Sequence, residues 1–180
     1  MKFILIAFVA LFAAVSPLSA TSLPPAEFQS LTNPQLLQAA RQISCIGPLK
    51  QADDNSIYIQ VSQEYITRLF PMIPQQQLFD GFAPSQDPRG ACIEVITKEE
   101  MRQAKIKTFQ ALGRALPFRV IDFCYAPGLT AASQKLVLII SAPLISELRR
   151  KYNLPPKITR FGKKPSEFYI TIGAVAQATN

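Results

Sequence analysis

Two short segments alternate apolar and functional side chains in the way a ligand-facing strand does. They are Ala91-Cys92-Ile93-Glu94-Val95-Ile96 and Phe168-Tyr169-Ile170-Thr171-Ile172. On a strand, residues i and i+2 face the same side. Cys92 and Glu94 therefore share one face, as do Tyr169 and Thr171. A thiol, a carboxylate, a phenol and a hydroxyl can hold a polar group, but none is a proton carrier poised near neutrality. The chain contains no histidine, the one side chain that titrates near pH 7 without perturbation. Cys–His nucleophile pairs and the usual zinc arrangements are thereby excluded. Cys92 beside Glu94 is expected to hold its proton tightly, which argues against a reactive thiolate. Asp53-Asp54 reads as a turn, since no later acid completes a calcium loop, and no Gly-rich phosphate loop is present. The expectation is no cofactor and no metal.

In their fuller context the two segments carry a resemblance. Gly90-Ala91-Cys92-Ile93-Glu94-Val95-Ile96, followed by a Glu-rich helix start, resembles the first motif of the two-histidine phosphoesterases. The resemblance is nearest to the branch called Swiss Army Knife RNA repair-like proteins. Phe168-Tyr169-Ile170-Thr171-Ile172-Gly173 resembles the second motif. The family motif is His, apolar, Ser or Thr, apolar, on a strand, occurring twice. The resemblance covers the chain from about residue 50 onward. It implies an α+β fold with two lobes of antiparallel or mixed sheet and flanking helices. It also implies a cleft lined by Cys92, Glu94, Tyr169 and Thr171.

In the family, one imidazole acts as base, the other as acid, and the hydroxyls hold phosphate oxygens. Here Cys92 and Tyr169 stand at the two histidine positions. Glu94 stands at one hydroxyl position, and Thr171 keeps the other. A phenol with a pKa of about 10 is a poor proton shuttle at neutral pH. A carboxylate at a phosphate-holding position repels phosphate. The implied protein is a pseudoenzyme without catalytic residues. A plainer reading also fits: Ala91, Ile93, Val95, Ile170 and Ile172 form a core face, and the four polar residues are simply solvated.

The elements that must position these strands follow from cap and turn chemistry. Lys2 precedes an unbroken apolar run, Phe3 to Val15, which is too short to span a bilayer and fits an export signal. Residues 1–22 read as a signal peptide, cut after Ala20 or Ser22, and 23–180 as one α+β domain. The mature protein is expected to be secreted or periplasmic, with no stable membrane insertion. Asn33-Pro34 starts a helix over 34–43, and Gly47-Pro48 breaks it. A strand at 57–61 and a short helix from Ser62 to Phe70 follow. Residues 71–90, with four prolines and two glycines, read as a long irregular loop. Thr97-Lys98-Glu99-Glu100 matches a capping box opening a helix that keeps its period up to Pro117. Strands at 118–125 and 135–140, a helix from Pro143, and a last strand at 167–175 complete the order.

Formal net charge is +7. Arg149, Arg150, Lys151, Lys157, Arg160, Lys163 and Lys164 fall together with no acid among them. They read either as a solvated helix end and loop or as an anion-binding patch. Three cysteines leave one thiol over if a disulfide forms, and Cys45–Cys124 is the pairing favoured here. The partner stays open among a polyanion, a small molecule and a protein, and oligomeric state is not legible. Two other functions remain: a secreted enzyme of altered chemistry using Cys92, Glu94, Tyr169 or Thr171, and an interaction protein with a vestigial cleft.

Overall fold

The computed structural model describes residues 29–74, 82–126, 135–156 and 168–175. The segment 1–22, read as an export signal, and the basic residues Lys157, Arg160, Lys163 and Lys164 lie outside them. The chain is α+β. Its strands are β1 (Gln29–Ser30), β2 (Ile46–Gln51), β3 (Ile57–Gln60), β4 (Phe82–Pro84), β5 (Cys92–Ile96), β6 (Ala115–Pro117), β7 (Arg119–Ala126), β8 (Lys135–Ser141) and β9 (Phe168–Val175). The helices are α1 (Pro34–Gln42), α2 (Glu64–Thr67), α3 (Lys98–Gln103) and α4 (Pro143–Lys151), with one 3-10 turn at Phe70–Met72. None of the described helices is long and apolar enough to cross a membrane.

All nine strands share one sheet, in the order β1-β7-β8-β9-β5-β3-β2-β6, with β4 also on β9. Every pairing among the described residues is antiparallel. The path divides into two halves. β6, β2, β3 and β5 form one, and β9, β8, β7 and β1 the other. They meet at β5 and β9, joined by the register pair Ile93–Ile170. β6 runs into β7 through Phe118 alone, so one stretch of chain pairs with β2 and then with β8.

The core lies on one face of the sheet. Leu49, Ile57, Ile59, Ile93, Val95, Leu138 and Ile170 pack there with Leu36 and Ala40 of α1 and Ile145 and Leu148 of α4. A smaller cluster of Cys124, Ala126 and Val137 occupies the other face, with Ile139 and Tyr169 beside it. Burying a large aliphatic side chain contributes roughly 1.5–3 kcal/mol, so the larger cluster dominates stability.

Local chemistry explains most boundaries. Asn33 Oδ1 accepts from the Leu36 amide at 2.9 Å and Pro34 opens α1. Thr97 and Glu100 make both bonds of the expected capping box, at 3.1 and 2.9 Å. Two expectations are corrected. The helix read up to Pro117 stops at Gln103. Lys105 takes φ 52°, its amide bonds Arg102 O, and the Ile106 amide bonds Met101 O. This is a Schellman closure with lysine at the left-handed position. The second correction is β2: Gly47-Pro48 was read only as the end of the helix over 34–43, which does stop at Gln42, and no strand was expected there. Gly47 is required because a Cβ there would collide with the Gln60 backbone carbonyl and Ile59. Pro48, with no N–H, sits where β2 passes from β6 to β3. The stretch 71–90 also holds the 3-10 turn and β4, while 75–81 lie outside the described residues.

Candidate functional site: a charge-balanced cleft where the half-sheets meet

β5 is delivered by a tightly held turn. Gly90 has φ 72°, which favours glycine, and a Cβ on it would also meet Gln63 Oε1 at 2.8 Å and displace that side chain. Gln63 Oε1 accepts from the Ala91 amide at 2.9 Å, and Gln60 Nε2 donates to Arg89 O at 3.0 Å. The Gly90 amide bonds Asp87 O at 2.8 Å. These bonds fix where Cys92 and Glu94 begin. β9 is held by Phe70, whose ring lies where a Cβ of Gly173 would sit, and by the Ser85 amide, which donates to Ile172 O.

The four positions singled out in the sequence come together. Cys92, Glu94, Tyr169 and Thr171 line one cleft with Ser85, Asp87, Arg89, Gly90 and Lys135. All four are half-buried, whereas Ile93, Val95, Ile170 and Ile172 face the core. With Ile93 opposite Ile170, antiparallel pairing sets Cys92 across from Thr171 and Glu94 across from Tyr169. The first positions of the two motifs are thus diagonal to each other, and so are the second positions.

Ser85, Asp87, Arg89 and Lys135 were missed by sequence reasoning. Asp87-Pro88-Arg89-Gly90 carries only a turn signal, and Lys135 looks like the first residue of a strand. Arg89 grips Asp87 through Nε–Oδ1 at 2.9 Å and Nη2–Oδ2 at 2.7 Å, and its guanidinium lies 5.6 Å from the Tyr58 ring centroid. Burial works to raise the Asp87 pKa, but the bonds from Arg89 outweigh it and hold the carboxyl below its ordinary value. The same pair raises Arg89, against the opposing effect of its own burial.

Burial pushes the Cys92 thiol up to about 11; Arg89 and Lys135 work against this, Asp87 and Glu94 with it. Cys92 is therefore a neutral thiol near pH 7, unsuited to nucleophilic attack. Two carboxylates and two cations line the hollow, so it carries no strong net charge. Its volume is about 70 Å³. That exceeds the roughly 10–15 Å³ needed for one water and falls far below the roughly 300 Å³ of the smallest usual ligand pockets. The cleft is a small hollow with a mostly polar lining. Among the described residues no three His, Cys, Asp or Glu side chains gather closely enough to hold a metal.

The expected basic patch is divided. Arg149 belongs to no surface: it is fully buried. It donates to both carboxylate oxygens of Glu100, at 3.0 and 2.6 Å, to Val95 O at 2.5 Å and to Pro155 O at 2.6 Å. Its position on α4 points inward beside Ile145 and Leu148, and the aliphatic stem of arginine tolerates that environment. Arg150 and Lys151 are exposed. The expected Cys45–Cys124 disulfide is absent, since all three cysteines are free thiols. Cys45 sits against Tyr65 at the edge of the main core, 3.3 Å from its Oη. Cys124 lies in the cluster on the other face, where it donates to Asp122 Oδ2, which also accepts from Ser30 Oγ.

Comparison of the chain with protein-family models, curated proteins and solved structures finds no match.

Proposed function

We propose that the chain is an exported, non-catalytic relative of the two-histidine phosphoesterases, whose cleft binds a small polar head group carrying both signs of charge. The observation that carries this reading is the Ile93–Ile170 register pair. It relates Cys92-x-Glu94 and Tyr169-x-Thr171 by a local two-fold about one hollow. Such an arrangement is what paired motifs from two lobes require, and the two half-sheets supply a lobe on either side. Alternation on strands that were not neighbours, or that paired in another register, would not yield it.

The side chains argue against turnover. Histidine is absent and Cys92 keeps its proton, so the imidazole base and acid of the family have no counterpart at the two first motif positions. Glu94 and Asp87 oppose a phosphate, while Arg89 and Lys135 suit the acidic end of a zwitterion.

The test is a site-resolved NMR titration with inorganic phosphate. The unaltered cleft is expected to show no response at residues 92–94 and 169–171. Glu94→Ser should create one, since the substitution restores a hydroxyl and removes the repelling charge. If Glu94→Ser leaves these resonances unmoved by phosphate, the inherited geometry is wrong. Hydrolysis of a cyclic phosphodiester by the purified chain, lost in Cys92→Ala, would overturn the non-catalytic reading instead.

A further inference from the structure

A second hollow lies away from the cleft. It is an open groove of about 530 Å³ between residues 108–114 and the last turn of α4. That volume falls within the roughly 300–1,000 Å³ of small-molecule sites. We propose that this groove binds a soluble organic phosphate, with the phosphoryl group between Arg114 and Lys151 and the apolar remainder along Ala111, Leu112 and Leu148. The inference is independent of the reading given to the cleft.

Charge is the first argument. Among the described residues no acidic side chain lines the groove, whereas two line the cleft. Arg114 and Lys151 are exposed, and among the described residues neither side chain enters a hydrogen bond or an ion pair. Glu147, one turn earlier on α4, lines a different hollow with Arg150 and Phe168. Two unpaired cations in one concave, acid-free site favour an anion, and the guanidinium fork suits phosphate oxygens. Thr108 and Gln110 add neutral polar groups on the same wall.

Preorganisation is the second argument. The Leu49 amide bonds Arg114 O at 2.9 Å and the Gly113 amide bonds Leu49 O at 2.8 Å, which clamps the Arg114 backbone to β2. Phe109 stacks on Tyr152 with centroids 4.9 Å apart, and Tyr152 Oη accepts from the Gln110 amide at 3.3 Å. These contacts tie the two walls together. The carbonyl end of α4 is unfavourable to an anion. Here Arg149 O and Arg150 O accept from the amides of Tyr152, Asn153 and Leu154, and Lys151 adds a positive charge in the same last turn. Leu112, 44% exposed, offers apolar area at the rim with no other evident use. An anion alone would not need it, but the body of an organic phosphate would.

The experiment is an NMR titration of the whole chain with phenyl phosphate. Saturable shifts are expected at 108–114 and 148–152 and not at 92–94. Arg114→Ala and Lys151→Ala should each weaken binding at least tenfold, as expected for loss of a charge-assisted bond. Both sites are exposed, and unchanged melting temperatures will show that the fold survives. Benzyl alcohol, which lacks the phosphate, should not bind. Absence of saturation, shifts confined to the cleft, or unchanged affinity in both variants would each overturn the assignment. So would binding to phosphatidic acid vesicles without binding to phenyl phosphate, which would place the anion on a lipid surface.

Discussion

Arg149 reaches under β5 to hold Val95 O, one residue from Glu94 in the cleft, while its other bonds clamp Glu100 and Pro155. A single buried guanidinium thus joins α4, the start of α3 and the strand that carries half of the candidate site.

Removing it should be costly. Truncating one partner of a buried pair leaves the other charge uncompensated, which typically costs about 3–5 kcal/mol. Arg149→Ala is expected to fall in that range by urea denaturation. Arg150→Ala, on the exposed side of the same helix, should change stability by less than about 0.5 kcal/mol. A double-mutant cycle with Glu100→Gln should show strong coupling, because each residue is the other's main partner.

Acid should weaken the fold through the same pair. Burial tends to raise the Glu100 pKa, but the bonds from Arg149 and Thr97 outweigh it and hold the carboxyl low. Asp54 is also held low, by the Ser56 hydroxyl and amide. A depressed folded pKa means the unfolded chain binds protons more readily. The associated stability is complete above the unfolded value, near pH 4, and is lost as pH falls through the folded values. Melting temperature is therefore expected to be flat from about pH 7 to 5 and to fall below that. Glu100→Gln should flatten the acid limb while lowering the plateau.

The thiols should be intact and slow. Mass spectrometry of the unreduced chain is expected to find three free cysteines; a mass lower by one pair of hydrogens would restore the disulfide. Burial raises Cys92 to about 11 and Cys124 to about 12 from an ordinary value of 9.0. At neutral pH the folded chain should alkylate at Cys92 roughly a hundredfold more slowly than the same residue in urea, since each pKa unit costs a factor of ten in thiolate.

What the sequence made legible was chemistry held within a few residues. Asn33-Pro34, the Thr97–Glu100 box and the alternation at 91–96 and 168–172 all announce structures that form locally. What stayed hidden depended on distant partners. Lys105 in a left-handed conformation gives no warning, because glycine is the usual signal for that closure. Gly47-Pro48 reads as a break until β3 lies alongside and requires a residue with no side chain. Arg149 sits among like charges and looks solvated, since nothing local reveals Glu100 waiting across the core. The cleft was half visible for the same reason: Cys92 and Tyr169 stand on patterned strands, while Arg89 and Lys135 arrive from a turn and a strand end.

The place of β9 governs when this architecture can exist. It inserts between β8 and β5, so each half-sheet keeps a bare edge until residues 168–175 pair there. Pairing across such sequence separation is slow, and bare edges invite mispairing meanwhile. Closure of the sheet therefore waits on a single strand, and neither half is finished without the other.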